Sequence, residues 1–339
     1  MRLLVYGAGA IGGFFGAMLT EAGEDVTLVA RGAQYEALSN RGIILEGRRI
    51  KRAQPIRVRA VRPDEVRGPF DLIFVTLKAH QLAGAAEHIR TLGGKDAWFV
   101  FPQNGLPWWY FDGIDTRFRG AKLKSLDPDG VLSRTFTAEN LVCGIAFKPS
   151  DIVEPGRIRL ADTDADSLTV GELDNRMSER IQTIAGIASN AGWPGKAVTD
   201  IRKAKWNKLL SNAIWNPLCS LTQSNPNDTA SYAPTMELAA QMINEVIAVA
   251  AAVGVTLNTS ASELIAGAAK RAPIPPSTLQ DVRAGRAMEL DAILNSVIEM
   301  GQLAGVATPS LKAVAACANL LNQRIIHDGV AIQPAKLRA

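Results

Sequence analysis

A short apolar run, Leu3 to Tyr6, ends in Gly7-Ala8-Gly9-Ala10-Ile11-Gly12, and an apolar helical pattern, Phe14-Phe15-Gly16-Ala17-Met18-Leu19, follows at once. No other stretch narrows the fold so far. Glycine-rich turns occur in many folds, but strand, Gly-x-Gly-x-x-Gly and helix in that order open a doubly wound α/β sheet. The first glycine permits the tight turn, the second lets backbone approach a ligand closely, and the third lets helix and strand pack together.

Such a turn aims a helix N-terminus at phosphate, so Gly7, Ala8, Gly9, Ala10, Ile11 and Gly12 are candidate residues for a nicotinamide dinucleotide. The second strand, Asp25 to Val29, leads into Ala30-Arg31. A carboxylate there would suit the ribose hydroxyls of NAD, whereas arginine suits the 2′-phosphate of NADP. The plain alternative is a surface arginine closing a strand.

A chain of 339 residues exceeds the size at which one core usually stops growing, so two domains are expected. The formal net charge of +4 is spread along the chain and favours small anionic ligands about as well as nucleic acid. The densest basic run, Arg48-Arg49-Ile50-Lys51-Arg52, has no interleaved aromatics and falls in an alternating pattern with Ile44 and Ile56. It reads as a solvated edge strand, not a nucleic-acid patch. Three widely spaced cysteines, Cys143, Cys219 and Cys317, suit neither a disulfide framework nor a zinc site and point to a reducing, cytoplasmic setting. His80, His88 and His327 lack ligand spacing, so no metal is expected, and the first two read as surface residues. With the first strand starting almost at Met1 no cleavable leader is expected, and the apolar stretch Val246 to Val255 is too short to span a membrane.

Further strands are expected at Asp71 to Leu77 and Ala97 to Phe101, with a helix from Gln81 to Leu92 between them. Alternating strands and helices predict a parallel sheet with ligands at the strand C-terminal ends, here Lys78 and the turn Gln103-Asn104-Gly105. An insertion of about 107–140 follows, carrying Trp108, Trp109, Tyr110 and Phe111. It is expected as a loop that lids or lines the active site, or else packs elsewhere. Leu141 to Phe147, Arg157 to Leu160 and Ser167 to Val170 read as antiparallel strands finishing the first domain, and Ser178 to Ala191 as a helix. Beyond Thr199 only helices are expected, near 201–222, 234–254, 259–269, 278–304 and 309–325, with a loose tail from about Gly329. The fold class is therefore an α/β Rossmann-type NADP-binding domain, residues 1–199, followed by an all-α C-terminal domain, residues 200–339. The long apolar helices could pair across a homodimer axis or fill the second core.

In Lys205-Trp206-Asn207-Lys208-Leu209-Leu210-Ser211-Asn212-Ala213-Ile214-Trp215-Asn216-Pro217, the polar residues Lys208, Asn212 and Asn216 recur every four positions. On a helix they form one slowly drifting stripe. Asparagine is a poor interior helix residue, so two on a stripe require a reason, either a ligand or a buried hydrogen-bond ladder. A carbonyl being reduced needs a proton from a group whose pKa can fall toward neutrality, which a partly desolvated lysine can do. Carboxamides can hold a substrate hydroxyl or carboxylate without adding charge. Ser277, in Ser277-Thr278-Leu279-Gln280-Asp281, reads by itself as a capping box, and Glu289 as a solvated helix position. Lys78 could be a simple strand-end charge and Asn104-Gly105 a simple turn.

Taken together, these motifs resemble the ketopantoate reductase (2-dehydropantoate 2-reductase) family over nearly the whole chain. They are Gly7 to Gly12, Arg31, Val75-Thr76-Leu77-Lys78 with Gln81, Asn104-Gly105, Trp206-Asn207-Lys208 with Asn212 and Asn216-Pro217, and Ser277 to Asp281 with Glu289. The resemblance implies NADPH-dependent reduction of a 2-oxo acid, most directly ketopantoate to pantoate in pantothenate and coenzyme A synthesis. It implies Lys208 as the general acid with Glu289 beside it and the cofactor, and Asn104, Asn212, Asn216 and Ser277 on the substrate. Arg31, Lys78, Gln81 and Asn104 would then serve NADP(H). The chain departs from the family at Ser224-Asn225-Pro226-Asn227, where a further substrate-binding asparagine is hard to align, and at the aromatic insertion. A paralogous reductase of another 2-oxo acid and a non-catalytic NADP(H)-sensing protein are the alternatives.

Overall fold

The computed structural model describes residues 1–47, 54–161, 163 and 165–334. The basic run Arg48 to Arg52 therefore lies outside the described residues, as does the end of the tail. Contacts divide the chain into two compact units, one of residues 1–103, 111–122 and 129–201, the other of residues 104–110, 123–128 and 202–339.

The first unit is an α/β domain. Strands β1 (Arg2–Tyr6), β2 (Asp25–Val29), β3 (Ile44–Glu46), β4 (Arg59–Val61), β5 (Phe70–Val75), β6 (Gly93–Phe101), β7 (Leu141–Phe147), β8 (Ser150–Glu154), β9 (Arg157–Leu160), β10 (Ser167–Gly171) and β11 (Gly195–Ala197) alternate with helices α1 (Ala10–Glu21), α2 (Gly32–Arg41), α3 (Leu82–Leu92), α4 (Val131–Thr135) and α5 (Glu179–Asn190). Eight strands form one sheet in the order β11-β10-β7-β6-β5-β1-β2-β4. Its pairs are parallel except β10 with β7.

The expectation of three finishing antiparallel strands is corrected in two ways. β7 joins the sheet parallel to β6, and β9 leaves it for a separate three-stranded sheet, β3-β9-β8. Pairings such as Ile44 with Arg157 join residues far apart in sequence, which strand periodicity cannot register. The core beneath the main sheet is aromatic: Phe15 meets Phe74 edge-on at 4.7 Å and Trp193 at 5.1 Å. α1 rides close on β2 because Gly16 has no side chain, and an added Cβ would lie 2.5 Å from Leu28 Cδ2. Ser178, the expected start of α5, caps it by accepting from Ile181 N.

The second unit is helical, built from α6 (Ile201–Thr222), α7 (Pro226–Thr229), α8 (Ala233–Ala252), α9 (Ala261–Ala269), α10 (Ser277–Arg283), α11 (Ser296–Ala304) and α12 (Pro309–Asp328). Buried Ala239, Met242, Ile243, Val246, Val249 and Ala250 give α8 one apolar face at helical spacing. Glu245 accepts from the backbone of Ser310 at 2.8 Å and Leu311 at 2.9 Å, so a carboxylate satisfies the open N-terminus of α12.

Two expectations fail in this unit. The single helix over 278–304 breaks after α10, where Gly285 takes φ +63° and Arg286 Nε bonds Asp281 Oδ1 at 3.0 Å, and resumes through a π-turn at Asp291–Asn295. The tail is docked, not loose, up to residue 333: Ile332 N donates to Val282 O at 3.2 Å, and Gln333 Nε2 to Arg283 O at 3.3 Å.

The aromatic insertion turns its rings inward. Trp108, Trp109, Tyr110 and Phe111 are all buried. In the helical unit, Glu299 of α11 accepts from Lys124 N at 2.7 Å, Ser125 N at 2.9 Å and Ser125 Oγ at 2.6 Å, pinning the insertion's second strip.

Candidate functional site

At the C-terminal end of β1, Gly7 takes φ +112° and its carbonyl accepts from Thr76 Oγ1 at 2.8 Å. A Cβ on Gly12 would lie 2.2 Å from Gly7 O and 2.4 Å from Thr76 Oγ1, so only glycine lets α1 start so close to the turn. Gly9 is different. A Cβ there meets nothing within 4 Å, which leaves open space where the motif would admit a pyrophosphate. Gly9 is also the N-cap of α1, which has neither a side-chain cap nor an acidic residue in its first turn. An uncapped helix N-terminus behind open space fits the phosphates of a dinucleotide.

Arg31 is exposed at the end of β2, as the N-cap of α2. Its charge reaches the end of β1: burial raises the Tyr6 phenol pKa, and Arg31 opposes that rise. His88, expected at the surface, is half-buried, with its Nδ1 3.0 Å from Tyr6 Oη. After β5, Gln81 Oε1 accepts from Lys78 N at 3.1 Å and so shapes the turn carrying Lys78, which is half-buried. Gln103 also acts here, donating from Nε2 to Val75 O at 2.6 Å and Leu77 O at 3.0 Å. Its position at the end of β6 was the only clue to that.

The remaining candidates belong to the helical unit. Lys208 and Asn212 are half-buried on α6, and Asn216 is buried. Burial first, and then the charge of Lys205, lower the Lys208 pKa from 10.5 to about 7, while Glu289 opposes the fall. A lysine at that value can give up a proton near neutral pH. Glu289 is no solvated position but is buried. Asn216 Nδ2 is buried with no hydrogen-bond partner among the described residues, a donor left over for a ligand.

Ser277 is exposed and is the first residue of α10, not its cap: Pro276 is the N-cap and no side-chain cap forms. The adjacent Thr278 joins α10 to the stripe through the Asn216 carbonyl. Asn104 is half-buried and precedes Gly105, whose φ of +82° and approach to Ala292 exclude a side chain, since a Cβ would fall 2.1 Å from Ala292 O. Leu106 N donates to the same carbonyl at 2.8 Å. The two residues after Asn104 thus sit against the π-turn Asp291–Asn295, which follows closely on Glu289. Lys205, Thr278 and the Gly105–Ala292 contact were missed in the sequence, and no local pattern marks them.

The pattern of the family described as Ketopantoate reductase PanE/ApbA matches residues 3–175, and that of its C-terminal region matches residues 200–322. A 2-dehydropantoate 2-reductase of Mesorhizobium japonicum is 33% identical over 317 residues, covering 93% of this chain and 96% of that one. The crystal structure of 2-dehydropantoate 2-reductase from Geobacter metallireducens GS-15 superposes with a TM-score of 0.81 at 28% identity, covering 95% of this chain and 99% of that one. A D-mandelate dehydrogenase solved with NADH and anilino(oxo)acetate shares the fold, with a TM-score of 0.81, 22% identity, and 96% and 100% coverage.

Proposed function

From the premise that this chain belongs to the ketopantoate reductase PanE/ApbA family and is an oxidoreductase of it, we propose that it reduces 2-dehydropantoate (ketopantoate) to (R)-pantoate with NADPH, a cytoplasmic step toward pantothenate and coenzyme A. The observation that carries this reading is Lys208, a lysine on α6 whose pKa of about 7 suits a general acid. NADPH, when bound, supplies the hydride that reaches the 2-oxo carbon. As charge builds on the carbonyl oxygen, the Lys208 ammonium gives it a proton, and the product is a secondary alcohol.

Glu289 favours the protonated form of Lys208 and so keeps the acid loaded. The unpartnered Nδ2 of Asn216 donates to the substrate, with Asn212, Asn104 and Ser277 completing its contacts. Gly7 to Gly12 receive the pyrophosphate, Arg31 the 2′-phosphate, and Lys78 and Asn104 the nicotinamide and ribose side, with Gln81 shaping the Lys78 turn. The same fold in a D-mandelate dehydrogenase supports a second reading, a 2-oxo acid with a different side chain.

The test is NADPH oxidation by purified protein, followed optically, against ketopantoate and a panel of aliphatic and aromatic 2-oxo acids, with NADH in parallel. Efficient turnover of ketopantoate with NADPH preferred supports the proposal. Faster turnover of another acid transfers the function to that substrate, and cofactor binding with no turnover of any acid removes the enzyme reading.

A further inference from the structure

Resting on the assignment of Lys208 as the acid, we propose that Tyr110, supplied by the aromatic insertion, is a positioning residue that fixes the helix bearing Lys208. Its phenolic oxygen accepts from Trp206 Nε1 at 2.7 Å, and the two rings meet edge-on, 6.3 Å apart at 88°. Its backbone carbonyl accepts from Arg202 Nε at 2.8 Å. The Arg202 guanidinium also lies over the rings of Trp109, at 5.6 Å, and Tyr110, at 5.8 Å. Tyr110, Arg202 and Trp206 are all at most 3% exposed, so these contacts are made away from water.

Arg202 and Trp206 stand one turn apart on the same face of α6. Held at both points, the helix can neither rotate nor slide without breaking buried hydrogen bonds. Lys208 is two residues beyond Trp206 and so projects roughly 200° around the axis, from the opposite side. Tyr110 therefore acts through the helix, from the side away from Lys208. The oxygen is essential to this role, because phenylalanine would fill the same space and leave Trp206 Nε1 buried without an acceptor. The gain is in catalysis: the acid must reach one carbonyl oxygen, and an error of about 1 Å in its placement can cost as much as a hundredfold in rate.

The test is a double-mutant cycle on the full chain, using Tyr110→Phe, Trp206→Phe and the pair together, with kcat, KM and NADPH affinity measured for each. Each single substitution is expected to lower kcat about tenfold while KM and NADPH affinity stay within about twofold. The pair removes donor and acceptor together, so its loss of kcat is expected to fall well short of the product of the two single losses, what remains coming from the space left by the smaller ring at position 206. Should Tyr110→Phe fail to fold, Trp206→Phe against the pair gives the same comparison. An unchanged kcat in the single variants, or losses that simply multiply in the pair, overturns the proposal. Lys208→Ala is the control: if it keeps turnover, the acid assignment falls and this inference with it, whereas if only Lys208→Ala is impaired, this inference alone falls.

Discussion

The hydroxyl of Thr278 donates a 3.1 Å hydrogen bond to the backbone carbonyl of Asn216, with both residues buried. The bond crosses 62 positions of sequence and ties the start of α10, and so Ser277, to the far end of the polar stripe on α6. Asn216 is followed by Pro217, which has no N–H, so α6 loses the intrahelical bond to the Ala213 carbonyl one turn before the point where Thr278 attaches.

Thr278→Val keeps the side chain's shape and removes the donor. Unfolding by urea should show a loss of about 0.5–1.5 kcal/mol, the usual net worth of one buried hydrogen bond whose acceptor keeps its place in a helix. The KM of the 2-oxo acid should rise while NADPH affinity holds, because Ser277 and Asn216 lose their shared anchor and the cofactor residues do not.

Lys208 sets two pH dependences of opposite sense. With its pKa lowered from 10.5 to about 7, the acid form is lost as pH rises through 7, so kcat/KM for reduction should fall about tenfold per unit above it. Glu289→Gln removes the charge that opposes the lowering and should move that limb to lower pH. Stability runs the other way. Between about 7 and 10.5 the unfolded chain holds the proton and the folded chain does not, so stability rises with pH across that window. Below about 7 both states are protonated, and the fold bears the full cost of the buried charge. Lys208→Met should therefore raise the melting temperature most at about pH 6 and least at about pH 10.

Gly9→Ala and Gly12→Ala should separate binding from folding. A Cβ at Gly9 enters open space and at Gly12 strikes Gly7 O, so the first variant should melt like the parent yet lose NADPH affinity. The second should lose both. Thermal melting beside fluorescence titration with NADPH reads the difference, and a Gly9→Ala variant with full affinity would exclude the turn as the pyrophosphate site.

Arg31→Ala should weaken NADPH binding by about ten- to a hundredfold, the range of a charge-assisted hydrogen bond to phosphate, and leave NADH nearly unchanged. Equal losses for the two cofactors would mean that Arg31 does not read the 2′-phosphate.

The chain by itself determined what depends on neighbouring residues. The first βαβ unit was legible because its glycines and strand alternation are local, and α6 because Lys208, Asn212 and Asn216 repeat at helical spacing among Leu209, Leu210, Ala213 and Ile214. The order of the long helices followed from the same periodicity. Tertiary structure alone decided the burial of Trp109 and Tyr110 behind α6, the Gly105 turn against Ala292, the Thr278 bond to Asn216, the departure of β9 to its own sheet and the break after α10. Each is a contact between segments distant in sequence, and a pattern of apolar spacing reports which face of an element is buried without naming what buries it. The pKa of Lys208 is of the same kind: a lysine's sequence neighbours suggest a buried face, but desolvation and the charge of Glu289 exist only once the chain has folded around it.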